Sequence, residues 1–380
     1  MILTLMVLKM KIAFLTRTDA FDKNGGDTYQ IEMYKKYLEE AEHDVEIITN
    51  LTVPSNKDFY ILVNLDRPLE LVIYYEKIAA LNLTKKMLLL SIHHSYDCID
   101  FYEKNVRTGV FSIPLKLLRT HNQREKLKNI ARAIKYAELR RYVLKHCFID
   151  YKTKSIDIIN NAQAILLIAN GERQIIHDDF GIEPKSIFLI KNGVDLVENV
   201  GLTENNLRDI DILICGRIES RKNSVSLAHY LKKTKFKVIF AGSVNPNAND
   251  YCNEFIELVD DSENIEYLGR VSPDDMPSLY SRAKVNLSAS WFEVASLVDL
   301  EAYAYGCHVI SSENGHTSDY LGERAQYISP SDINSLDAIL PALMAEKNDK
   351  LSQYDFIKNN FTWKRAANTL ADVLLSLKEK

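Results

Sequence analysis

The sequence predicts an α/β protein of two domains, each built on a parallel sheet. Three observations carry this. At 380 residues the chain is longer than one hydrophobic core usually serves. Short apolar runs, of the kind buried on both faces of a sheet, alternate with segments of helical spacing. A polar, patternless stretch at 196–209 separates two such series, as a linker does.

The first nine residues, MILTLMVLK, are too short for a signal peptide and lack a small-residue cleavage site, so Met10 is the more natural beginning. Residues 11–16 read as the first strand. A glycine turn holding Gly25 and Gly26 follows, then an amphipathic helix to Glu40 and a second strand at 43–48. This is a βαβ opening with its turn at the carboxyl end of the first strand, where open α/β sheets bind ligands. It lacks G-x-G-x-x-G, so a dinucleotide enzyme has little support. A strand at 59–64, a helix at 69–81 and a strand at 86–93 come next, the last ending in His93-His94-Ser95. A histidine there can face a ligand or be a satisfied core residue. Strands at 164–169 and 187–190, with a helix at 171–179 between them, complete the first series, and the boundary is expected after Asp195.

The second series opens with a strand at 210–215, followed by Gly216-Arg217 and, five residues on, Lys222. Arginine and lysine beside a glycine turn can neutralise a diphosphate. Strands at 237–241 and 265–271 follow, then a helix at 275–283 and a short apolar run at 283–287. Then Ser288-Ala289-Ser290 leads through Glu293 to a helical pattern stopping at Gly306, and residues 308–310 read as a buried strand. A helix starting in a small-residue loop suits an anion, while Glu293 and Glu301 on either side suit hydroxyl groups. One anion flanked by two polyol-binding acids describes a sugar nucleotide. Asp209-Ile210-Asp211 copies a D-x-D metal motif, but its place at the start of an apolar strand argues against that role.

Charge is unevenly distributed. The net charge is −5, yet residues 101–154 hold 14 Lys/Arg against 4 Asp/Glu, a local +10 that leaves −15 elsewhere. Between Arg124 and Phe148, Leu127, Ile130, Ala131, Ile134, Ala137, Leu144, Cys147 and Phe148 recur largely at helical spacing, with cations mostly elsewhere on the wheel. Such a helix is either a membrane-surface or acidic-partner element, or a solvated face. Nucleic acid is not expected, because no binding signature accompanies the charges. Five scattered cysteines without a C-x-x-C pair argue for reduced thiols in a cytoplasm, and against a zinc site or disulfide frame. No apolar run approaches the roughly 20 residues that span a bilayer.

Several of these motifs together resemble the retaining glycosyltransferases of family 4, which have the GT-B fold. The likeness runs through E-x7-E (Glu293 and Glu301), then Ala302, Gly306 and Val309-Ile310. It includes G-R-x4-K from Gly216 to Lys222, with Asn223 in place of the usual glycine. It also takes in Asn192-Gly193-Val194-Asp195, with Lys191 replacing proline, and Phe361-Thr362-Trp363 for a closing F-S-W. It is dense from 162 to 330 and thin from 50 to 160.

The resemblance implies two Rossmann-like domains facing across a central cleft: an acceptor domain at 1–195, a donor domain at 196–358, and a helix at 359–380 crossing back to the first. It implies metal-independent transfer, with retention, from a UDP- or GDP-linked sugar to a hydroxyl acceptor, glycan or lipid-linked, in bacterial-type surface polysaccharide or glycolipid synthesis. No cofactor is expected. By the same resemblance His93 touches the donor sugar near the reacting carbon, and Arg217 and Lys222 hold the diphosphate. Glu293 takes a sugar hydroxyl and Glu301 the ribose. Gly25 and Gly26 face the donor, as do Val271 and the backbone from Val294 through Ala295 and Ser296 to Leu297. The basic segment would touch an anionic membrane, placing a cytoplasmic protein at the inner face. A non-transferring epimerase or hydrolase, or a silent sugar-nucleotide-binding scaffold, is the alternative.

Overall fold

The computed structural model describes residues 9–23, 25–109, 112–197, 208–245 and 249–378. Most of the expected linker, and residues 1–8, lie outside the described residues. The chain divides into two compact units: one of the described residues up to His94, Arg119–Gly193 and Trp363 onward, the other of Ser95–Leu118 and Val194–Thr362.

The first unit is built on β1 (Lys11–Leu15), β2 (Asp44–Ile48), β3 (Phe59–Val63), β4 (Met87–Leu90), β5 (Ala164–Leu167) and β6 (Ile187–Leu189). They pair in parallel in the order β2-β1-β3-β4-β5-β6. β3, β4 and β5 are buried along their whole length, as a sheet covered on both faces requires. The order reverses between β1 and β3, which makes their carboxyl ends the natural ligand edge. Helix Trp363–Lys378 returns to this unit, where buried Trp363 meets Tyr29 and Tyr34 of helix Gly26–Glu40 edge-on, each at 5.8 Å.

The second unit holds β7 (Ile210–Cys215), β8 (Val238–Ala241), β9 (Ile265–Tyr267), β10 (Ala283–Leu287), β11 (His308–Ser312) and β12 (Ala325–Ile328). Their order, β12-β11-β10-β7-β8-β9, reverses between β7 and β10. Gly216-Arg217 and the loop to Glu293 leave the carboxyl ends of these two neighbours. β12 and the helices Leu336–Ala345 and Lys350–Asn360 have no counterpart in the sequence-based reading.

Two expectations about domain extent change. Ser95–Leu118, placed by sequence in the first domain, packs with the second unit. Phe101 stacks on Trp291 at 5.5 Å, and Tyr102 bonds to Ser220 Oγ at 2.7 Å while meeting Phe292 edge-on. The closing segment joins the first unit from Trp363, four residues later than expected, because Thr362 bridges to Val194 in the second.

Candidate active site

The cationic cluster begins where β7 ends. Gly216 lies so close to Gly242, at the end of β8, that a Cβ on Gly242 would sit 1.9 Å from the Gly216 carbonyl oxygen. The chain then forms a short turn, Ser220–Lys222, and passes through Asn223 at φ +60°. That is the left-handed conformation glycine favours, and asparagine tolerates it. Asn223 also donates to the Pro330 carbonyl at 2.9 Å, so asparagine in place of the glycine that the resemblance implies leaves the turn intact.

This turn presents Arg217, Arg221 and Lys222. Lys222 Nζ bonds to Glu293 Oε1, which also accepts from Arg221 Nη1 at 3.1 Å. Arg221 further donates to the Phe292 carbonyl at 3.2 Å and pairs with Glu219, while the exposed Arg217 guanidinium stands 3.8 Å from Glu219. Against its desolvation, Glu293 and Glu219 raise the Arg221 pKa, so its charge is secure. The loops are tied by the Trp291 amide donating to the Arg221 carbonyl at 2.9 Å.

Beyond Glu293, Ser296 caps helix Leu297–Ala304 by accepting from the Asp299 amide at 3.3 Å. The Ser296 amide meets Thr317 Oγ1 at 3.5 Å, and the Val294 carbonyl accepts from His316. The first amides of a helix have no partner within it and carry the positive dipole end. Glu301 sits one turn further on, accepting from Tyr280 Oη at 3.0 Å; desolvation pushes its pKa up to about 7. Asp299 is fully buried and takes Asn286 Nδ2 at 2.9 Å and Ser311 Oγ at 2.6 Å. It thereby joins β10, β11 and the helix, and burial raises it to about 6.

The expected residues Arg217, Lys222, Glu293, Val294 to Leu297 and Glu301 thus gather at the carboxyl edge of β7 and β10. Val271 lies farther along that edge, beyond β9. The D-x-D pair is at the opposite end of the sheet and is consumed by ion pairs, Asp209 with Arg282 and Asp211 with Lys284.

Gly25, Gly26 and His93 belong to the first unit, at the carboxyl ends of β1 and β4. His93 differs from its expected role. Its ring is 0% exposed, with Nδ1 2.7 Å from Asp66 and Nε2 2.8 Å from Asp179. Desolvation opposes charge, but the two carboxylates prevail and raise its pKa to about 9. Both ring nitrogens are engaged, so the expected donor contact finds no exposed ring atom in this structure. The preceding Ile92 is a β-branched residue at φ +40°, a strained conformation. Buried Glu172 anchors it from both sides, accepting from Ser91 Oγ and the His93 amide, and its other oxygen accepts from the amides of Ile168 and Ala169.

Sequence reasoning missed Arg221, Asp66 and Asp299. Only the last had a local signal: Ser296-x-x-Asp299 has the spacing of a helix cap with an acid at its third position.

Residues 202–363 match the family model described as Glycosyl transferases group 1. The MMP alpha-(1->4)-mannosyltransferase of Mycolicibacterium hassiacum is 22% identical over 187 residues, 47% of this chain and 45% of that protein. The matched stretch therefore spans less than half of this curated relative. Among solved structures, sucrose-phosphate synthase from Thermosynechococcus elongatus superposes over 97% of this chain and 99% of its own. Its TM-score is 0.70 at 14% identity. Anabaena HepE in complex with UDP gives 0.67 at 14% identity, over 97% and 100%. The fold is thus shared across almost the whole chain. The segment from 202 to 363 is thus similar to glycosyl transferases group 1, within a chain of GT-B fold.

Proposed function

We propose that the protein transfers a glycosyl group from a nucleoside-diphosphate sugar to a hydroxyl acceptor, with retention and without a metal. The observation that carries this is the cluster of Arg221 and Lys222 against Glu293, with Arg217 beside Glu219, at the strand-order reversal of the second sheet and beside a helix start. The UDP held by the HepE structure supports a nucleoside diphosphate as leaving group. The group 1 domain and the mannosyltransferase relative support transfer over simple binding.

Breaking the glycosyl–phosphate bond builds negative charge on the departing phosphate. Arg217 and Lys222, with the amides around Ala295 to Leu297, are the donors for that charge, the kind of stabilisation that lowers barriers most. Glu293 accepts from a hydroxyl of the transferred sugar and Glu301 from the ribose. Two cations already hold Glu293, which suits a sugar contact better than a covalent nucleophile. A same-face route, in which the leaving phosphate takes the acceptor proton, fits retention. The acceptor is a glycan or lipid-linked hydroxyl of surface polysaccharide or glycolipid synthesis. An anionic membrane surface is the partner supported by the charge of 101–154, with the protein at its cytoplasmic side.

A thermal-shift screen of nucleoside diphosphates and their sugars tests the binding half, since a selective ligand raises apparent stability. Product analysis with and without acceptor tests the transfer half. Donor consumed equally without acceptor, as free sugar or an epimer, would replace the transferase with a hydrolase or epimerase.

A further inference from the structure

Glu301 stands at the candidate donor site already held by a neighbour. Its Oε2 accepts from Tyr280 Oη at 3.0 Å, while Oε1 accepts from none of the described residues. Tyr280 belongs to helix Met276–Arg282, which runs into β10, and is 1% exposed. A buried phenol needs a partner for its hydroxyl, and here the partner is the carboxylate on helix Leu297–Ala304.

Tyr280 is itself braced. Its ring stacks on Tyr305, with centroids 6.2 Å apart and planes 5° from parallel, and the Tyr305 hydroxyl accepts from the Val197 amide at 2.9 Å. The Tyr280 carbonyl accepts from Cys307 Sγ at 3.1 Å and from Arg208 Nη1 at 3.3 Å. The same guanidinium donates to the carbonyls of Ala283 and Tyr305, the latter at 2.9 Å, and so ties the carboxyl ends of both helices together. A cation there also suits the negative pole of each helix dipole. Gly306 leaves room for it: a Cβ at that position would lie 2.3 Å from Arg208 Nη2.

We propose that Tyr280 is a positioning residue for donor binding, its hydroxyl holding the Glu301 carboxylate charged and aimed so that Oε1 takes a ribose hydroxyl; this rests on the reading of Glu301 as the ribose contact. A donor on one oxygen favours the ionised carboxylate against its burial and leaves the other oxygen to the ligand. The further ionisable groups around Glu301 are Asp195, Cys215 at the end of β7, and Tyr305, and none of them is a cation. Tyr280 is therefore the group that favours the charge, while burial and Asp195 oppose it.

The test is Tyr280→Phe in the full chain, followed from about pH 6 to about pH 9. One readout is the carboxyl carbon resonance of Glu301, assigned by its loss in Glu301→Gln. The other is calorimetric binding of UDP and of GDP. Phenylalanine keeps the ring and its stacking on Tyr305, so the fold is expected to persist. The Glu301 midpoint should rise by about one pH unit, and nucleotide affinity should fall about fivefold near pH 7 and recover near pH 9. A merely loosened fold would not regain affinity with pH. In a transfer assay the donor KM should rise with kcat little changed. An unmoved midpoint overturns the proposal and leaves the transferase reading standing, as does an affinity loss that pH 9 fails to restore. Equal binding of UDP and GDP by wild type and Glu301→Gln at pH 9 would instead remove Glu301 from the ribose, and the proposal with it.

Discussion

Glu293 and Lys222, from the loops after β10 and β7, are bonded to each other, and Arg221 donates to the same carboxylate oxygen. The candidate diphosphate site is therefore neutralised from within, and an incoming phosphate must compete with an acid for Lys222. Glu293→Gln removes the competing charge and weakens the sugar contact. A nucleoside diphosphate alone is expected to bind at least as tightly as to wild type, while turnover falls by about 10²–10³. Calorimetry beside a transfer assay checks this; weaker binding of the free diphosphate would place Glu293 elsewhere in the scheme.

Glu301 gives the donor site a pH dependence. Burial holds its pKa at about 7, and in the proposed scheme its ionised form is the better acceptor for a ribose hydroxyl. Donor affinity should rise with pH up to about 7, by up to tenfold per unit below it, and Glu301→Gln should flatten the profile. Stability runs the other way. The folded state holds this proton more tightly than the unfolded chain, so the contribution is full below the ordinary carboxylate value of 4.5 and lost as pH rises through about 7. Denaturant titrations across that window read it out.

His93 is expected to be a pillar of the first unit. Because Asp66 and Asp179 raise its pKa from 6.5 to about 9, its contribution is complete below 6.5 and lost as pH rises through about 9. His93→Gln removes the cation that both carboxylates share and leaves Asp66 with His94 alone, at a cost of about 3–5 kcal/mol. A stability loss under about 1 kcal/mol would return His93 to the role of a ligand contact.

Gly242→Ala should damage the candidate site from behind. The new Cβ would lie 1.9 Å from the Gly216 carbonyl oxygen, and Gly242 already sits at φ +151°. The expected result is a loss of more than about 2 kcal/mol in stability together with weaker donor binding, because Arg217 follows the displaced residue. Unchanged melting and affinity would show that the β7 and β8 ends can separate freely.

Much of this was legible in the chain itself, for physical reasons. Strands buried on both faces must be apolar along their length, so β3, β4 and β5 stood out, and Gly306 at φ +88° stopped the helix where expected. Arg217, Lys222, Glu293 and Glu301 were findable because they sit at fixed offsets from glycines and strand ends. The partners of His93 were not, since Asp66 and Asp179 are 27 and 86 residues away and no local pattern joins them to it. Nor was the outward turn of Ile130 and Ile134 on helix His121–Lys135, because periodicity fixes which residues share a face and not which way that face points. Ser95–Leu118 was misplaced because its attachment to the second unit runs through Phe101, Tyr102 and residues more than a hundred positions downstream.

The most direct measurement is release of nucleoside diphosphate by purified protein, over a panel of UDP- and GDP-linked sugars with a glycan or lipid acceptor, for wild type and Lys222→Ala. The account predicts acceptor-dependent release by wild type, and a loss of about 10²–10³ in the variant with its fold intact. Turnover that persists at the wild-type level without the Lys222 ammonium would contradict it.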